Sequence, residues 1–221
     1  MAPHPQRPLT RCDRFRAASR WHEATHHIFL DQWAQGTLPE SVFTRYILQD
    51  YVFVQALVPV AGRLYAHAPS LPARRRHQEF LVSLLTDEDR YYEEMLHDLG
   101  VAPDVAASPV PLPLTAAFAS NLINASRSDD YGPLLALVVA AEWVYEDWVR
   151  RLHASPPTAA LYRRWVDQHS TEALTRFVGE ARAELDSLPL TPQQDESACA
   201  RFVTVVDYAA RFWEMAWSGS G

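Results

Sequence analysis

The chain of 221 residues contains no lysine, so all 20 of its basic residues are arginine. A Walker A phosphate loop requires a lysine, and so does Schiff-base catalysis through a lysine amine. Both classes of site are therefore excluded. Cysteine is nearly as scarce, since only Cys12 and Cys199 occur. Neither belongs to a C-x-x-C pair or lies beside a histidine, so we expect no zinc site and no catalytic thiol.

Glycines, basic residues and long apolar runs are also few. Seven glycines and long helical periodicities disfavour a sheet-rich fold. With 27 acidic residues the net charge is −7, and no sustained basic run exists to bind nucleic acid. No stretch reaches eighteen unbroken apolar residues, and the proline-rich N-terminus MAPHPQRPLTR has no apolar signal segment. We therefore expect a soluble cytoplasmic protein that contacts neither nucleic acid nor membrane.

Apolar residues recur every three or four positions along most of the chain, which is the spacing of amphipathic helices. Glycine and proline separate these segments, as at Gly36 and Pro39 and in the proline-rich loop 103–113. The predicted helices cover residues 11–34, 39–67, 72–99, 114–126, 134–151, 158–185 and 191–217. The sequence predicts an all-α, single-domain bundle of about seven helices in residues 11–221, preceded by a flexible arm at residues 1–10.

The segment LLALVVAAEWVYEDWVRR, residues 134–151, is central to the prediction because it sets one carboxylate among apolar residues. On a helix, Glu142 shares a face with Tyr145 and Glu146. Burial would raise the pKa of Glu142 and make it a candidate general acid near neutral pH. It could equally begin the polar stripe of an ordinary helix or pair with an arginine in the core.

Three motifs resemble the TenA/thiaminase II family. GTLPESVFTRYILQDYVFVQAL, residues 36–57, resembles the family's opening G-T-L-P turn followed by Y-x-x-Q-D. FWEMA, residues 212–216, resembles its closing F-W-x-M-A, and AEWVY falls where the family has C-Y-W-x-Y. The resemblance spans residues 15–217. It implies a haem-oxygenase-like all-α fold, assembly as homodimers or homotetramers, and a deep pocket for an aminopyrimidine.

The same resemblance implies an activity. Family members hydrolyse a 4-amino-5-(amino- or formylamino)methyl-2-methylpyrimidine to hydroxymethylpyrimidine, which enters thiamin salvage. No metal or organic cofactor is expected.

The resemblance also assigns site residues by position. Asp50 matches the aspartate that holds the amino group and ring nitrogen of the pyrimidine, and a carboxylate suits this role because it accepts hydrogen bonds. Phe53 and Tyr145 match aromatic residues that flank the ring on its two sides. Phe118 and His169 fall where many members have tyrosine. We therefore expect these four residues to bind substrate and Asp50 to act with the catalytic group.

Two departures from the family pattern concern catalysis. Ala141 occupies the position of the catalytic cysteine, and absence of this cysteine marks the TenA-E subgroup, in which a glutamate takes over. Glu142 is then the catalytic candidate, because a carboxyl group can activate water or protonate a departing amine. Ala209 replaces the family's C-terminal glutamate, and neither Asp207 nor Glu214 would share its helix face. Either Glu142 serves as both acid and base, or the substrate differs, or activity is lost.

Two other classes of function remain open on the sequence alone. Di-iron oxidases on helical bundles use Glu-x-x-His ligands, and this spacing occurs at residues 23–26 and 94–97. Glu142 and His169 would then be additional ligands. The second alternative is a non-catalytic pyrimidine-binding protein.

Overall fold

The computed structural model describes residues 8–154 and 156–219, and the regular structure in these ranges is entirely helical. Twelve α-helices and one π-helix occur there. They are α1 (Arg11–Ala17), α2 (Trp21–Thr25), α3 (Ile28–Gln35), α4 (Glu40–His67), α5 (Leu71–Ser83), the π-turn (Leu84–Glu88), α6 (Asp89–Asp98), α7 (Pro103–Ala107), α8 (Pro113–Ala125), α9 (Tyr131–Ala154), α10 (Ala160–His169), α11 (Glu172–Ser187) and α12 (Pro192–Ser218). The predicted all-α bundle is confirmed.

The predicted N-terminal arm, residues 1–10, falls largely on residues 1–7, which lie outside the described part of the chain. Its last residue has a defined role. Thr10 is the N-cap of α1, where its hydroxyl accepts a hydrogen bond from the backbone amide of Asp13 at 3.2 Å.

Three of the seven predicted segments are divided in the structure. The first becomes α1, α2 and α3, the third contains the π-turn between α5 and α6, and the sixth is split between α10 and α11. Side chains cap the new ends: His27 accepts from the amide of Phe29, and Thr171 accepts from the amide of Leu174. Apolar spacing continues across such short breaks, so periodicity alone does not reveal them.

Helix α9 lies at the centre of the bundle, in contact with α12, α4, α11 and α10. Its first half, Leu134 to Ala141, is buried on every side, as the continuous apolar run predicted. Each fully buried Leu or Val side chain contributes about 1.5–3 kcal/mol to folding. This burial fixes the position of the residues that follow in α9, including Glu142. No helix in the described ranges combines the length and apolarity needed to cross a membrane.

A cluster of aromatic rings joins α3, α4, α9 and α10 next to this core. Trp33 is completely buried and meets Trp165 at 4.8 Å and Phe43 at 5.0 Å between ring centroids. Trp148 stacks on Trp165 at 4.5 Å, and Tyr46 lies edge-on to Trp33 at 5.4 Å. Such pairs add about 0.5–1.5 kcal/mol each beyond their buried area. The cluster forms a rigid wall behind the polar residues described below.

Helix α12 begins with a capping box, which gives a first testable prediction. The Thr191 hydroxyl accepts from the Gln194 amide at 3.2 Å, and the Gln194 side chain accepts from the Thr191 amide at 3.1 Å. Thr191→Ala should lower the free energy of unfolding by about 1 kcal/mol, measured by urea denaturation. Gln193→Ala, two residues away and exposed, is the control. Equal stability of both variants and the wild type would contradict the capping assignment.

Candidate active site

A cavity of about 270 Å³ lies between α4, α5, the π-turn, α9, α10 and α11. Four of the six site residues predicted from the sequence line it: Phe53, Glu142, Tyr145 and His169. The structure thus brings together side chains that are separated by up to 116 residues in the chain. Asp50 and Phe118 are not part of the cavity lining and lie behind it.

Glu142 is partly buried in the wall that α9 contributes to this cavity. Its carboxyl group takes part in no hydrogen bond or ion pair among the described residues. Burial raises the pKa of Glu142 to about 8, and the negative charge of Glu88 adds to the effect. Asp50 raises it further, whereas His169 lowers it. Glu142 therefore carries a proton at neutral pH and can donate it to a group in the cavity.

Asp50 is buried, and one of its carboxylate oxygens accepts hydrogen bonds from three tyrosine hydroxyl groups. Tyr92 donates to Oδ2 at 2.6 Å, Tyr46 at 2.7 Å and Tyr145 at 2.9 Å. Burial raises the pKa of Asp50, and the three hydrogen bonds lower it. The effect of burial is larger, so the pKa lies above its ordinary value. Oδ1 accepts no hydrogen bond from the described residues. The carboxyl group is thus held rigidly and keeps one oxygen available as an acceptor.

Tyr145 connects this aspartate to the cavity, because its ring lines the cavity while its hydroxyl bonds to Asp50. Phe53 lies in the same lining and packs on Phe118, with ring centroids 4.9 Å apart. Phe118 in turn stacks in parallel on Tyr208 at 4.6 Å. Phe118 therefore supports Phe53 from behind, and its direct contact with a substrate stays a prediction.

His169 is held from several sides at the cavity wall. Its ring stacks on Trp165 at 4.0 Å, and Nδ1 donates to the Trp165 carbonyl oxygen at 2.7 Å. Nε2 lies 3.1 Å from a carboxylate oxygen of Glu88. Burial on its own lowers the pKa of His169, but the Glu88 carboxylate and the two hydrogen bonds raise it, and the net shift is upward. His169 and Glu88 therefore form a hydrogen-bonded pair at the cavity wall.

Glu88, Tyr46 and Tyr92 are site residues that the sequence did not reveal. Glu88 belongs to the acidic run TDED, which has the composition of a solvated helix face. A signal for Tyr46 existed, since it precedes Asp50 by one helical turn and shares its face. Tyr92 reaches Asp50 from α6, a long-range contact with no sequence signature.

Gln49, the neighbour of Asp50 in the Q-D motif, has a structural role. Its amide group donates to the carbonyl oxygen of Val110 at 3.1 Å and accepts from the amide of Leu112 at 2.8 Å. One side chain thereby satisfies two backbone groups of the loop before α8. In this motif, Gln49 thus anchors the loop, and Asp50 belongs to the polar site.

The structure supplies no carboxylate at the position where α12 has Ala209. Asp207 pairs with Arg20 at 2.9 Å, and Glu214 lies 3.3 Å from His27 on the surface. Neither lines the cavity. This agrees with the prediction that they do not share the helix face of Ala209. Any second acidic group at the site must therefore come from another helix.

The Glu-x-x-His spacings of the di-iron alternative lie away from the cavity. Glu23 pairs with Arg20, and Glu94 pairs with Arg164 next to the exposed His97. Across the described ranges, no group of three or more His, Cys, Asp or Glu side chains is placed to hold a metal ion. These spacings are therefore helix-surface ion pairs in this fold.

Comparisons with known proteins agree with this architecture. The chain is 23% identical over 208 residues to an aminopyrimidine aminohydrolase of Bacillus subtilis, covering 93% of this chain and 88% of that protein. It is 23% identical over 205 residues to an aminopyrimidine aminohydrolase of Helicobacter pylori, covering 91% and 94%. The fold matches the TenA homologue protein from P. horikoshii OT3 with a TM-score of 0.84 at 23% identity, over 96% of this chain and 100% of that one. The sequence profile of the TENA/THI-4/PQQC family matches residues 15–219, and the chain therefore belongs to this family.

Proposed function

We propose that this protein is an aminopyrimidine aminohydrolase that converts 4-amino-5-(amino- or formylamino)methyl-2-methylpyrimidine to hydroxymethylpyrimidine, a reaction of thiamin salvage. The observation that carries the proposal is a protonated carboxyl group in the cavity wall, with a second carboxyl group behind that wall, joined to it by Tyr145, that keeps one acceptor oxygen unbonded. These groups are Glu142 and Asp50. Relatives with this activity in their names match nearly the whole chain.

In this proposal the pyrimidine lies against Phe53 and Tyr145, whose ring faces favour a flat heterocycle. Asp50 accepts a hydrogen bond from the exocyclic amine through Oδ1, because Oδ2 is occupied by the three tyrosines. The cavity of about 270 Å³ suits a substrate of one ring. Asp50 thereby sets the position of the methylene carbon relative to Glu142.

Glu142 then protonates the nitrogen of the leaving group. The bond between the methylene carbon and nitrogen breaks, and its electron pair leaves with the nitrogen as ammonia or formamide. The ring amine donates electron density to the carbon, and a water molecule adds there and loses a proton. Acid catalysis of this kind contributes about 10²–10⁴-fold to the rate. No metal or organic cofactor enters the proposal.

The direct test is an assay of purified, chelator-treated protein with three pyrimidines, which carry an aminomethyl, a formylaminomethyl or a thiamin-type substituent. Release of hydroxymethylpyrimidine, with ammonia or formamide in equal amount, is the expected result for the first two. Absence of turnover of all three compounds would overturn the proposal. Dependence of turnover on added iron would instead support an oxidase.

The protonated state of Glu142 predicts a pH dependence. The acid form is active, so kcat/KM should fall as pH rises through the pKa of Glu142 at about 8. An ordinary glutamate, which loses its proton near pH 4, could not act as an acid under these conditions. The measurement is kcat/KM for the aminomethyl compound from pH 6 to 10. A profile with no fall above pH 8 would contradict this role.

The proposal also includes assembly as a homodimer or homotetramer in the cytoplasm, without nucleic acid or membrane partners. The net charge of −7 and the lack of a basic run argue against nucleic acid. Large apolar side chains remain exposed on several helices, among them Ile28, Leu71, Leu85 and Ile123. Light scattering coupled to size-exclusion chromatography measures the assembly, and a monomer at micromolar concentration would contradict it.

A further inference from the structure

A second acidic group reaches the cavity from the π-turn between α5 and α6. Leu84, Asp87 and Glu88 of this turn all line the cavity, whereas Leu85 is exposed. The π-turn therefore directs Glu88 inward, although it belongs to the acidic run 87–89. Turns of this type occur frequently at functional sites.

Glu88 is held in place by His169. Its Oε2 lies 3.1 Å from His169 Nε2, and the histidine ring is itself fixed by the Trp165 carbonyl and by contacts with Tyr91 and Tyr145. Because Nδ1 of His169 donates to a carbonyl oxygen, Nε2 must donate to Glu88 when the ring is protonated. Oε1 of Glu88 takes part in no hydrogen bond with the described residues. One oxygen is thus anchored and the other is available.

We propose that Glu88 is the second catalytic carboxylate of the site: it accepts the proton of the attacking water, and His169 is the positioning residue that holds it. This inference rests on the proposed hydrolysis and assigns the base that the site lacks at Ala209. Glu142 and Glu88 line one cavity, Glu142 from α9 and Glu88 from the π-turn. Two carboxyl groups in different environments at one cavity can act as an acid/base pair.

Glu88 is favoured over the other acidic groups near Glu142. Asp87 pairs with Arg90 and Glu79 with Arg176, and all four side chains are more than 60% exposed. Glu180 pairs with Arg76 and is half exposed. Glu88 is only 19% exposed.

Each element that lines the cavity with Glu142 places charged or titratable groups near it. They are Asp50 of α4, Arg76 and Glu79 of α5, Asp87 and Glu88 of the π-turn, His169 of α10, and Arg176 and Glu180 of α11. The Coulomb interactions that shift the pKa of Glu142 come from Glu88, His169 and Asp50. Since Asp50 does not line the cavity, Glu88 is the one of these two carboxyl groups that can take a proton from water there.

The proton balance of the two steps is simple. Glu142 gives its proton to the departing nitrogen, and Glu88 receives one proton from the water whose oxygen bonds to the methylene carbon. The products are the alcohol and the neutral amine or amide. Transfer of the proton from Glu88 to Glu142 through solvent restores both groups. No oxidant, reductant or further reactant is required.

The test begins with Glu88→Gln, which keeps the shape and an acceptor for His169 but cannot take a proton. Turnover should fall by about 100-fold or more. The variant also removes a negative charge that raises the pKa of Glu142, so the alkaline limb of the kcat/KM profile should move to lower pH. This shift follows from the lost charge whatever the role of Glu88, so the fall in turnover is the measurement that tests the base role.

Two further variants complete the experiment. Glu88→Asp keeps the charge, so the alkaline limb should stay near the wild-type position while turnover falls by about 10- to 100-fold through misplacement. Glu214→Gln, at another glutamate beside a histidine but outside the cavity, is the matched control and should keep wild-type turnover.

The outcomes separate the two proposals. If the wild type is active and Glu88→Gln keeps its turnover, the role of Glu88 is overturned and the proposed function stands. If the wild type releases no hydroxymethylpyrimidine, both proposals fall. Should Glu88→Gln not fold, as judged by circular dichroism, unchanged turnover in Glu88→Asp would overturn the role of Glu88.

Discussion

Replacing Glu142 by glutamine should lower kcat by about 10²–10⁴-fold while leaving the fold intact. The two side chains have the same shape, but the amide cannot donate the proton that the leaving nitrogen requires. The neutral amide also avoids the desolvation that raises the pKa of Glu142 to about 8. We therefore expect the melting temperature of Glu142→Gln to match or exceed that of the wild type, and the fall of activity above pH 8 to disappear.

The matched control for this variant is Glu146→Gln, one helical turn later on α9. Glu146 is buried but pairs with Arg150 outside the cavity lining, so its loss removes a carboxylate without touching the site. Turnover should stay near the wild-type value. A folded Glu142→Gln protein with normal turnover would rule out Glu142 as the acid.

Asp50→Asn should lower kcat/KM by about 10- to 150-fold, the equivalent of about 1.5–3 kcal/mol for a hydrogen bond to a charged group. The amide oxygen can still accept from Tyr46, Tyr92 and Tyr145, as Oδ2 does in the wild type. The amide nitrogen then replaces Oδ1 and presents a donor to the donor amine of the substrate. KM should rise and kcat should fall, because the ring loses its orientation.

Asp89→Asn is the matched control for Asp50→Asn. Asp89 also accepts a tyrosine hydroxyl, from Tyr51 at 2.7 Å, but it does not line the cavity. The control should show wild-type KM and kcat in the same assay. An unchanged KM in Asp50→Asn would count against a role in substrate orientation.

Local sequence was sufficient for the parts of the site that lie on one helix. The apolar run before Glu142 predicted a buried helix, which the structure shows, and burial there raises the pKa of Glu142. The three-residue spacing of Asp50 and Phe53 placed both on one side of α4, where Phe53 lines the cavity. Helical periodicity carries this information directly.

Contacts between distant segments could not be predicted in the same way. Tyr92 donates a hydrogen bond to Asp50 although 42 residues separate them in the sequence, and His169 contacts Glu88 although 81 residues separate them. The π-turn that directs Glu88 inward has no residue signature, since its sequence LLTDE continues a helical pattern. The breaks before α3 and α11 depend on single capping residues, which are common in sequence. Each of these features is decided by packing between helices.

The position of Glu88 depends on the number of residues in the π-turn. A π-turn holds one residue more than the α-helical turn it replaces, and one residue corresponds to a rotation of roughly 100° around the helix. The deletion of a single codon in this stretch would therefore turn Glu88 away from the cavity. Tyr92 follows Glu88 by one helical turn and would rotate with it, whereas Asp50, Tyr46 and Tyr145 would keep their places on α4 and α9. The residues proposed for ring recognition on α4 and α9 can thus change separately from the residue proposed to accept a proton.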